Sequence, residues 1–289
     1  SLPNAPPITL VLHKKQLLEV WADNPAIEIT RQGRIERFTN FDAEWWTDEK
    51  PSQGPIREAA NADKISTLLV TTKAPQALPA VDRFRRYLGN HTTVIFASNG
   101  ICRLWEPWGK MYNSSRFQSE NPSFLVSVTS NGLYSIGDFK SVHASHANTA
   151  IGPVCLNSKR GSEAKHIIEL LVSAPHLQAT AFARSEVWVL QIEKLVANSI
   201  INPMTAILRC KNGEVFLDPD AEVSRVIDML LEEMSAVLQT LVQNDSNRAN
   251  FIEDEADDDP TAIEDVRARL YERFSVPNLR EIVRGVGER

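Results

Sequence analysis

The chain has 289 residues, 43% of them hydrophobic and 24% charged, with a formal net charge of −6. This composition is typical of globular proteins, and the length is sufficient for two domains. The acidic balance argues against nucleic acid or an anionic membrane surface as the main partner. No apolar run approaches the ~20 residues that a membrane-spanning helix needs, so no membrane partner is expected.

The cysteine and histidine pattern does not indicate a metal site. Cys102, Cys155 and Cys210 cannot all pair, and their spacing is not that of metal ligands. They are interpreted as free thiols in a reducing compartment, which fits a cytoplasmic or a mitochondrial location. His143 and His146 are three apart in a strand-like region, which predicts opposite faces. The acidic run at 253–259 is interpreted as a solvated loop, because like charges repel.

The first half of the chain alternates between strand and helix patterns. Short apolar runs predict buried strands, and amphipathic stretches between them predict helices. Alternation of this kind is typical of βαβ units in one parallel sheet. Gln32-Gly33 also predicts a hairpin, and the polar segment 39–62 is interpreted as a loop. The predicted strands are 8–13, 65–71 and 92–97, the helices lie at 16–21 and 77–88, and the hairpin strands are 26–30 and 34–38.

Strand patterns continue to about residue 184, and from about Ser185 the pattern is helical. Residues 124–152 predict antiparallel strands that extend the sheet, with a turn at Asn131-Gly132. A helix at 161–174 and a last strand at 177–183 follow. The resulting fold class is α/β: a Rossmann-like parallel-sheet domain over residues 1–184, followed by an all-α domain over 185–289. The predicted helices of that second domain are 186–200, 203–209, 219–243, 261–273 and 277–288.

A polar stripe crosses the apolar segment that opens the helical half. Lys194, Asn198 and Asn202 are four residues apart, and each step of four on an α-helix turns about 400°. The three side chains therefore share one side of a helix, where burial is costly unless a ligand meets them. A small anionic or carbonyl-bearing ligand would do so. The alternative is that Asn202-Pro203 starts a helix, with Asn202 as its N-cap.

The residues around this stripe resemble the ketopantoate reductase (2-dehydropantoate 2-reductase) family. The similarity is carried by an ordered series of short motifs. These are Lys194, Asn198, Asn202-Pro203, Thr205-Ala206 and Asn212-Gly213, together with Thr72-Lys73-Ala74, Gln76, Ser98-Asn99-Gly100 and Ile151-Gly152-Pro153 upstream.

The resemblance implies a reductase that converts 2-dehydropantoate to pantoate in pantothenate biosynthesis. It implies that Lys194 is the catalytic general acid, and that Asn198 and Asn202 bind the substrate. Asn99 would lie close to both the nicotinamide and the substrate. Lys73, Gln76 and Gly100 would border the cofactor.

The choice of cofactor follows from a second cluster of residues. In a Rossmann unit, an acid after the second strand favours NAD, whereas cations favour the 2′-phosphate of NADP. His13, Lys14 and Lys15 include no acid, so NADP is predicted. The family has a basic residue at the position of His13, so Lys14 or Lys15 is expected to take that role. Solvated lysines at a helix start are the alternative.

Two family features are not found in this sequence. There is no G-x-G-x-x-G turn, which would hold the pyrophosphate. There is also no downstream Ser-Ser-Met and Glu-Ile-Asp segment. We therefore expect a chain truncated at both ends, with weak cofactor binding. Two alternatives stay open: a reductase of another branched 2-oxo acid, and a non-catalytic binding or regulatory relative. A homodimer is compatible with the sequence.

Overall fold

A computed structural model describes residues 6–46, 64–100, 102–117, 120–157, 161–218, 222–252 and 259–287. Most of the acidic run at 253–259 and of the segment 39–62 lies outside these ranges. The strands are β1 Thr9–Leu12, β2 Ile27–Arg31, β3 Arg34–Phe38, β4 Asp42–Trp45, β5 Thr67–Val70, β6 Thr93–Phe96, β7 Ser123–Thr129, β8 Gly132–Gly137, β9 Lys140–Ser145, β10 Thr149–Cys155 and β11 Ala179–Ala181. The helices are α1 Lys15–Asp23, α2 Ala74–Phe84, α3 Trp108–Arg116, α4 Gly161–Val172, α5 Arg184–Leu208, α6 Glu222–Gln243, α7 Pro260–Arg273 and α8 Val276–Gly287.

A five-stranded sheet in the order β11-β10-β7-β6-β5 forms the centre of the first half. Strands β5, β6 and β7 are parallel, and β10 runs antiparallel to β7. All four residues of β6 are buried. Apolar strands of this kind need cover on both faces, which α2 and α4 help to supply. The predicted α/β class, with a helical second half, is confirmed.

The strand nearest the start of the chain lies outside that sheet. β1 pairs in parallel with β4 in a separate two-stranded sheet, so the prediction of one parallel sheet is wrong for β1. β4 also lies in the segment that was interpreted as a loop. Its sequence, DAEW, has a weak strand pattern, and backbone pairing with β1 rather than hydrophobicity makes it a strand.

A four-stranded sheet, β3-β2-β9-β8, contains both hairpins. The predicted β2–β3 hairpin is confirmed, and its turn uses positive φ angles at Gln32 and Gly33. Strands β8 and β9 belong to this sheet, so only β7 and β10 extend the main one as expected. The prediction that His143 and His146 lie on opposite faces is wrong, because their rings lie 4.0 Å apart. β9 ends before His146, so strand alternation does not apply to it.

Helix α5 runs unbroken for 25 residues, straight through Pro203. The predicted break at Asn202-Pro203 is therefore wrong, and Asn202 is not an N-cap. Proline removes one backbone donor inside a helix. Buried Ile200, Ile201 and Met204 hold this part of the helix against the core. The later helices α6, α7 and α8 were predicted, whereas α3 was not.

Close packing sets the position of α5 over the sheet. A Cβ on Gly152 of β10 would lie 2.7 Å from the Phe182 oxygen and 2.8 Å from Cγ1 of Val187. Only glycine allows the start of α5 to approach β10 this closely. On the other side, Arg273 of α7 donates to buried Glu193 at 2.5 Å. The helix that carries Lys194 is thus held from both sides. The domain boundary at residue 184 stays a prediction.

Candidate active site

A small cleft lies between α5 and the carboxyl ends of β6 and β7. Ligands of α/β proteins bind at such strand ends. The residues that line the cleft are mainly polar or small: Ser98, Asn99, Gly100, Ser127, Val128, Gln191, Lys194, Leu195 and Asn198.

The Lys194 ammonium is anchored in this cleft by two acceptors. Nζ donates to Oδ1 of Asn99 at 2.8 Å and to the backbone oxygen of Thr129. Burial lowers the pKa of Lys194 below its ordinary value, because desolvation disfavours the charged form. A lysine with a lowered pKa in a cleft is a candidate proton donor.

Asn99 and Gly100 follow β6 directly, as predicted. Gly100 adopts φ +72°, a left-handed conformation that favours glycine. Ser98 donates to the Thr72 oxygen and so joins the end of β6 to the end of β5. The end of β6 is thereby held in a conformation that presents the Asn99 amide to Lys194.

The polar stripe that borders the cleft differs from the predicted one. Asn198 lines it, whereas Asn202 is exposed and is not among the lining residues. Steps of four residues drift by about 40° each, so Asn202 lies about 80° around the helix from Lys194. Gln191 takes its place. Gln191 and Asn198 are seven residues apart, so their directions around the helix axis differ by only about 20°.

Two groups in the site were missed at the level of sequence. Gln191 is buried, and its Oε1 accepts from Nε1 of Trp105 at 2.6 Å. A glutamine within the apolar run VWVLQI, three residues before Lys194, was an available signal. The sequence carried no signal for the backbone oxygen of Thr129, because every residue has the same backbone carbonyl.

A hydrogen-bond network links Thr129 to Asn131, His143 and Arg31. Asn131 Nδ2 donates to Oγ1 of Thr129 at 2.7 Å, and Asn131 Oδ1 lies 3.0 Å from Nε2 of His143. Nε of Arg31 donates to Nδ1 of His143 at 3.2 Å. His143 therefore carries its hydrogen on Nε2. Burial lowers the pKa of His143, and His146 and Arg31 lower it further. His143 belongs to this network, and the ring of His146 lies 4.0 Å from the ring of His143.

The predicted cofactor-binding residues fall into separate groups. His13, Lys14 and Lys15 are exposed at the carboxyl end of β1, and Lys15 pairs with Glu19 at 3.8 Å. Lys73 and Gln76 are exposed at the start of α2. None of these five lines the cleft. Asn99 and Gly100 are the predicted cofactor residues that the structure brings to Lys194.

Across the described ranges, no group of three or more His, Cys, Asp or Glu side chains could hold a metal ion. No described helix combines the length and the apolar character that crossing a bilayer requires.

Two family descriptions match most of the chain. Residues 7–155 match "Ketopantoate reductase PanE/ApbA", and residues 186–277 match its C-terminal part. A ketoisovalerate reductase of Gibberella intermedia is 40% identical over 96% of this chain, which spans 75% of that protein. Another, from Beauveria bassiana, is 36% identical over 96% of the chain and 65% of its own length. A probable 2-dehydropantoate 2-reductase of Schizosaccharomyces pombe is 31% identical over 61% of the chain and 49% of its own length.

Solved structures share the fold at low identity. A probable 2-dehydropantoate 2-reductase of Bacillus subtilis superposes with a TM-score of 0.55 at 16% identity, over 96% of this chain and 79% of that one. D-mandelate dehydrogenase, solved with NADH and anilino(oxo)acetate, gives a TM-score of 0.60 at 12% identity over 92% and 72%. The family matches cover both halves of the chain and include all the residues around the cleft. The chain belongs to the ketopantoate reductase family, a family of oxidoreductases.

Proposed function

We propose that this protein reduces a branched 2-oxo acid to the 2-hydroxy acid with NADPH. The observation that carries the proposal is the position of the Lys194 ammonium. It lies in a cleft at the strand ends, bonded to Asn99 and one helical turn from Asn198. A cation and two amides fit the keto oxygen and carboxylate of a 2-oxo acid.

The role of Lys194 follows from the charge that develops during reduction. Negative charge builds up on the keto oxygen, and an ammonium beside that oxygen stabilises the charge and then donates a proton. The Asn99 amide and the Thr129 carbonyl hold Nζ by two hydrogen bonds. Both acceptors are neutral, so they position the ammonium without neutralising its charge.

The open backbone around Gly100 is compatible with the approach of a nicotinamide dinucleotide. When bound, this cofactor supplies the hydride. Gly100 has a positive φ, and the nearest atom to a Cβ placed there is Leu195 Cδ1 at 3.8 Å, so the backbone is open to a ligand. Asn99 and Gly100 would border the nicotinamide. Lys73 and Gln76 would border the cofactor. His13, Lys14 and Lys15 would meet the 2′-phosphate of NADP, although β1, which they follow, lies outside the five-stranded sheet.

Two substrates deserve the first tests. Ketoisovalerate is favoured because two ketoisovalerate reductases are similar along 96% of the chain. The second is 2-dehydropantoate, which carries an additional hydroxyl. Strong selection for a hydroxyl needs buried polar partners that would be unpaired without it. Asn202, the second amide assigned to the substrate from the sequence, is exposed, which supports the substrate without the hydroxyl.

Steady-state NADPH oxidation by the protein at its full natural length tests the proposal. We expect turnover with ketoisovalerate, and a higher kcat/KM for it than for 2-dehydropantoate. The reverse order would restore pantoate formation as the function. NADPH binding without turnover on any branched 2-oxo acid would favour the non-catalytic alternative.

A further inference from the structure

Gln191 is a buried polar residue that the proposed mechanism does not use. Its exposed fraction is 4%, which is rare for glutamine. It lines the same cleft as Lys194 and Asn198. A primary amide has one acceptor oxygen and a nitrogen with two hydrogens, so both ends need partners when buried.

Trp105 decides which end of the Gln191 amide is free. The indole Nε1 is a donor only, so the group 2.6 Å away must be the amide oxygen. This places the amide nitrogen at the other end. Among the described residues, Nε2 has no hydrogen-bond partner. An unpaired buried donor costs free energy, and an acceptor on a bound ligand would remove that cost.

The helix places this donor beside the reacting groups. Gln191 lies one turn before Lys194 on α5, and Asn198 lies one turn after it. If the Lys194 ammonium donates to the keto oxygen, the remaining acceptor on the substrate is the carboxylate. The carboxylate is bonded directly to the keto carbon. A donor one turn from Lys194 is well placed for it.

Building on the proposed function, we propose that Gln191 binds the substrate, with Nε2 donating to the carboxylate of the 2-oxo acid. Trp105 then acts as a positioning residue that holds the amide oxygen. The class of ligand is a small carboxylate with a carbonyl beside it. The carboxamide oxygen of the nicotinamide is the competing acceptor, and the kinetic constants separate the two.

Three variants test this assignment. Gln191→Met keeps the length and removes the amide. Gln191→Glu keeps an acceptor for Trp105 but replaces the donor with a negative charge. Trp105→Phe keeps an aromatic ring and releases the amide. Gln243→Met and Gln243→Glu are matched controls, because Gln243 is an exposed glutamine at the end of α6.

We expect KM for the 2-oxo acid to rise about tenfold in Gln191→Met and further in Gln191→Glu. KM for NADPH should stay within about twofold of wild type. Trp105→Phe should show a smaller rise in the 2-oxo acid KM. In Gln191→Glu, the 2-oxo acid KM should fall again as pH is lowered, because a protonated carboxyl regains a donor. A purely structural role would not produce that recovery.

Calorimetric titration of the 2-oxo acid into the NADP⁺-loaded protein separates this inference from the proposed function. Wild-type binding that Gln191→Met weakens, without any turnover, would refute the reductase and leave Gln191 assigned. Unchanged 2-oxo acid affinity in folded Gln191→Met and Gln191→Glu, or a change confined to NADPH, would overturn the assignment. If wild-type protein binds no branched 2-oxo acid, both ideas fall.

Discussion

Nζ of Lys194 lies 2.8 Å from Oδ1 of Asn99, although the two residues are 95 positions apart. This hydrogen bond joins the first helix of the second half to the end of β6 in the first half. The site therefore exists only when both halves are folded and packed together. Changes on either side of the cleft should alter the chemistry.

Replacing Lys194 with alanine removes both the proton donor and the positive charge. Loss of a general acid typically costs 10²–10⁴-fold in rate, so we expect kcat to fall by about that factor. NADPH affinity, measured by fluorescence titration, should persist, because Lys194 is assigned to the substrate. Near-normal turnover in Lys194→Ala would refute its catalytic role.

The lowered pKa of Lys194 predicts an early alkaline limb in the pH profile. Activity needs the ammonium, so kcat/KM should fall as pH rises through a value below 10.5, the ordinary lysine value. Deprotonation of Lys194 would not cause this loss of activity by unfolding the protein. When the pKa of a lysine is lower in the folded state than in the unfolded state, the folded state becomes more stable as the pH rises from the folded pKa to the unfolded pKa. An alkaline limb at or above 10.5 would contradict the prediction.

Asn198 and Asn202 should differ in their effects. Asn198 lines the cleft, so Asn198→Ala should raise KM for the 2-oxo acid by about tenfold, the cost of one hydrogen bond to a charged group. Asn202 is exposed, and Asn202→Ala should have the smaller effect. Its role in substrate binding stays a prediction. Equal losses in the two variants would mean that the cleft extends to Asn202 when the substrate binds.

Gly152→Ala should destabilise the fold. The added Cβ would meet the Phe182 oxygen at 2.7 Å and Val187 at 2.8 Å, and overpacking of this kind costs about 1–3 kcal/mol. Gly137→Ala in β8 is the control, because nothing lies within 4 Å of a Cβ there. Urea unfolding of both variants gives the comparison. Equal stability of the two would show that α5 can move away from β10 without cost.

Lys14 and Lys15 should govern the choice between NADPH and NADH. Removing one exposed cation from a phosphate costs up to about 1 kcal/mol, so Lys14→Ala should raise KM for NADPH about fivefold and leave KM for NADH unchanged. Lys15→Ala should have a smaller effect, since Lys15 also pairs with Glu19. A parallel change for both dinucleotides would place these lysines outside the 2′-phosphate site.

The sequence alone identified the α/β class, the helical second half, and Lys194, Asn198 and Asn99 as candidates for one site. These features rest on local patterns: apolar runs, helical spacing and ordered short motifs. Only the tertiary structure decided two features that local patterns do not determine, namely where a helix ends and which strands pair. The continuity of α5 through Pro203 depends on the buried side chains around it, and the separate pairing of β1 with β4 depends on backbone partners.

The same distinction holds within the cleft. Helical periodicity grouped Lys194 with Asn202, but the direction in which α5 packs on the sheet brought Gln191 to the cleft instead. The Thr129 carbonyl that holds the ammonium is a backbone group, and only the three-dimensional path of β7 brings it there. Sequence spacing determines which residues share one side of a helix. The packing of that helix determines which side meets the ligand.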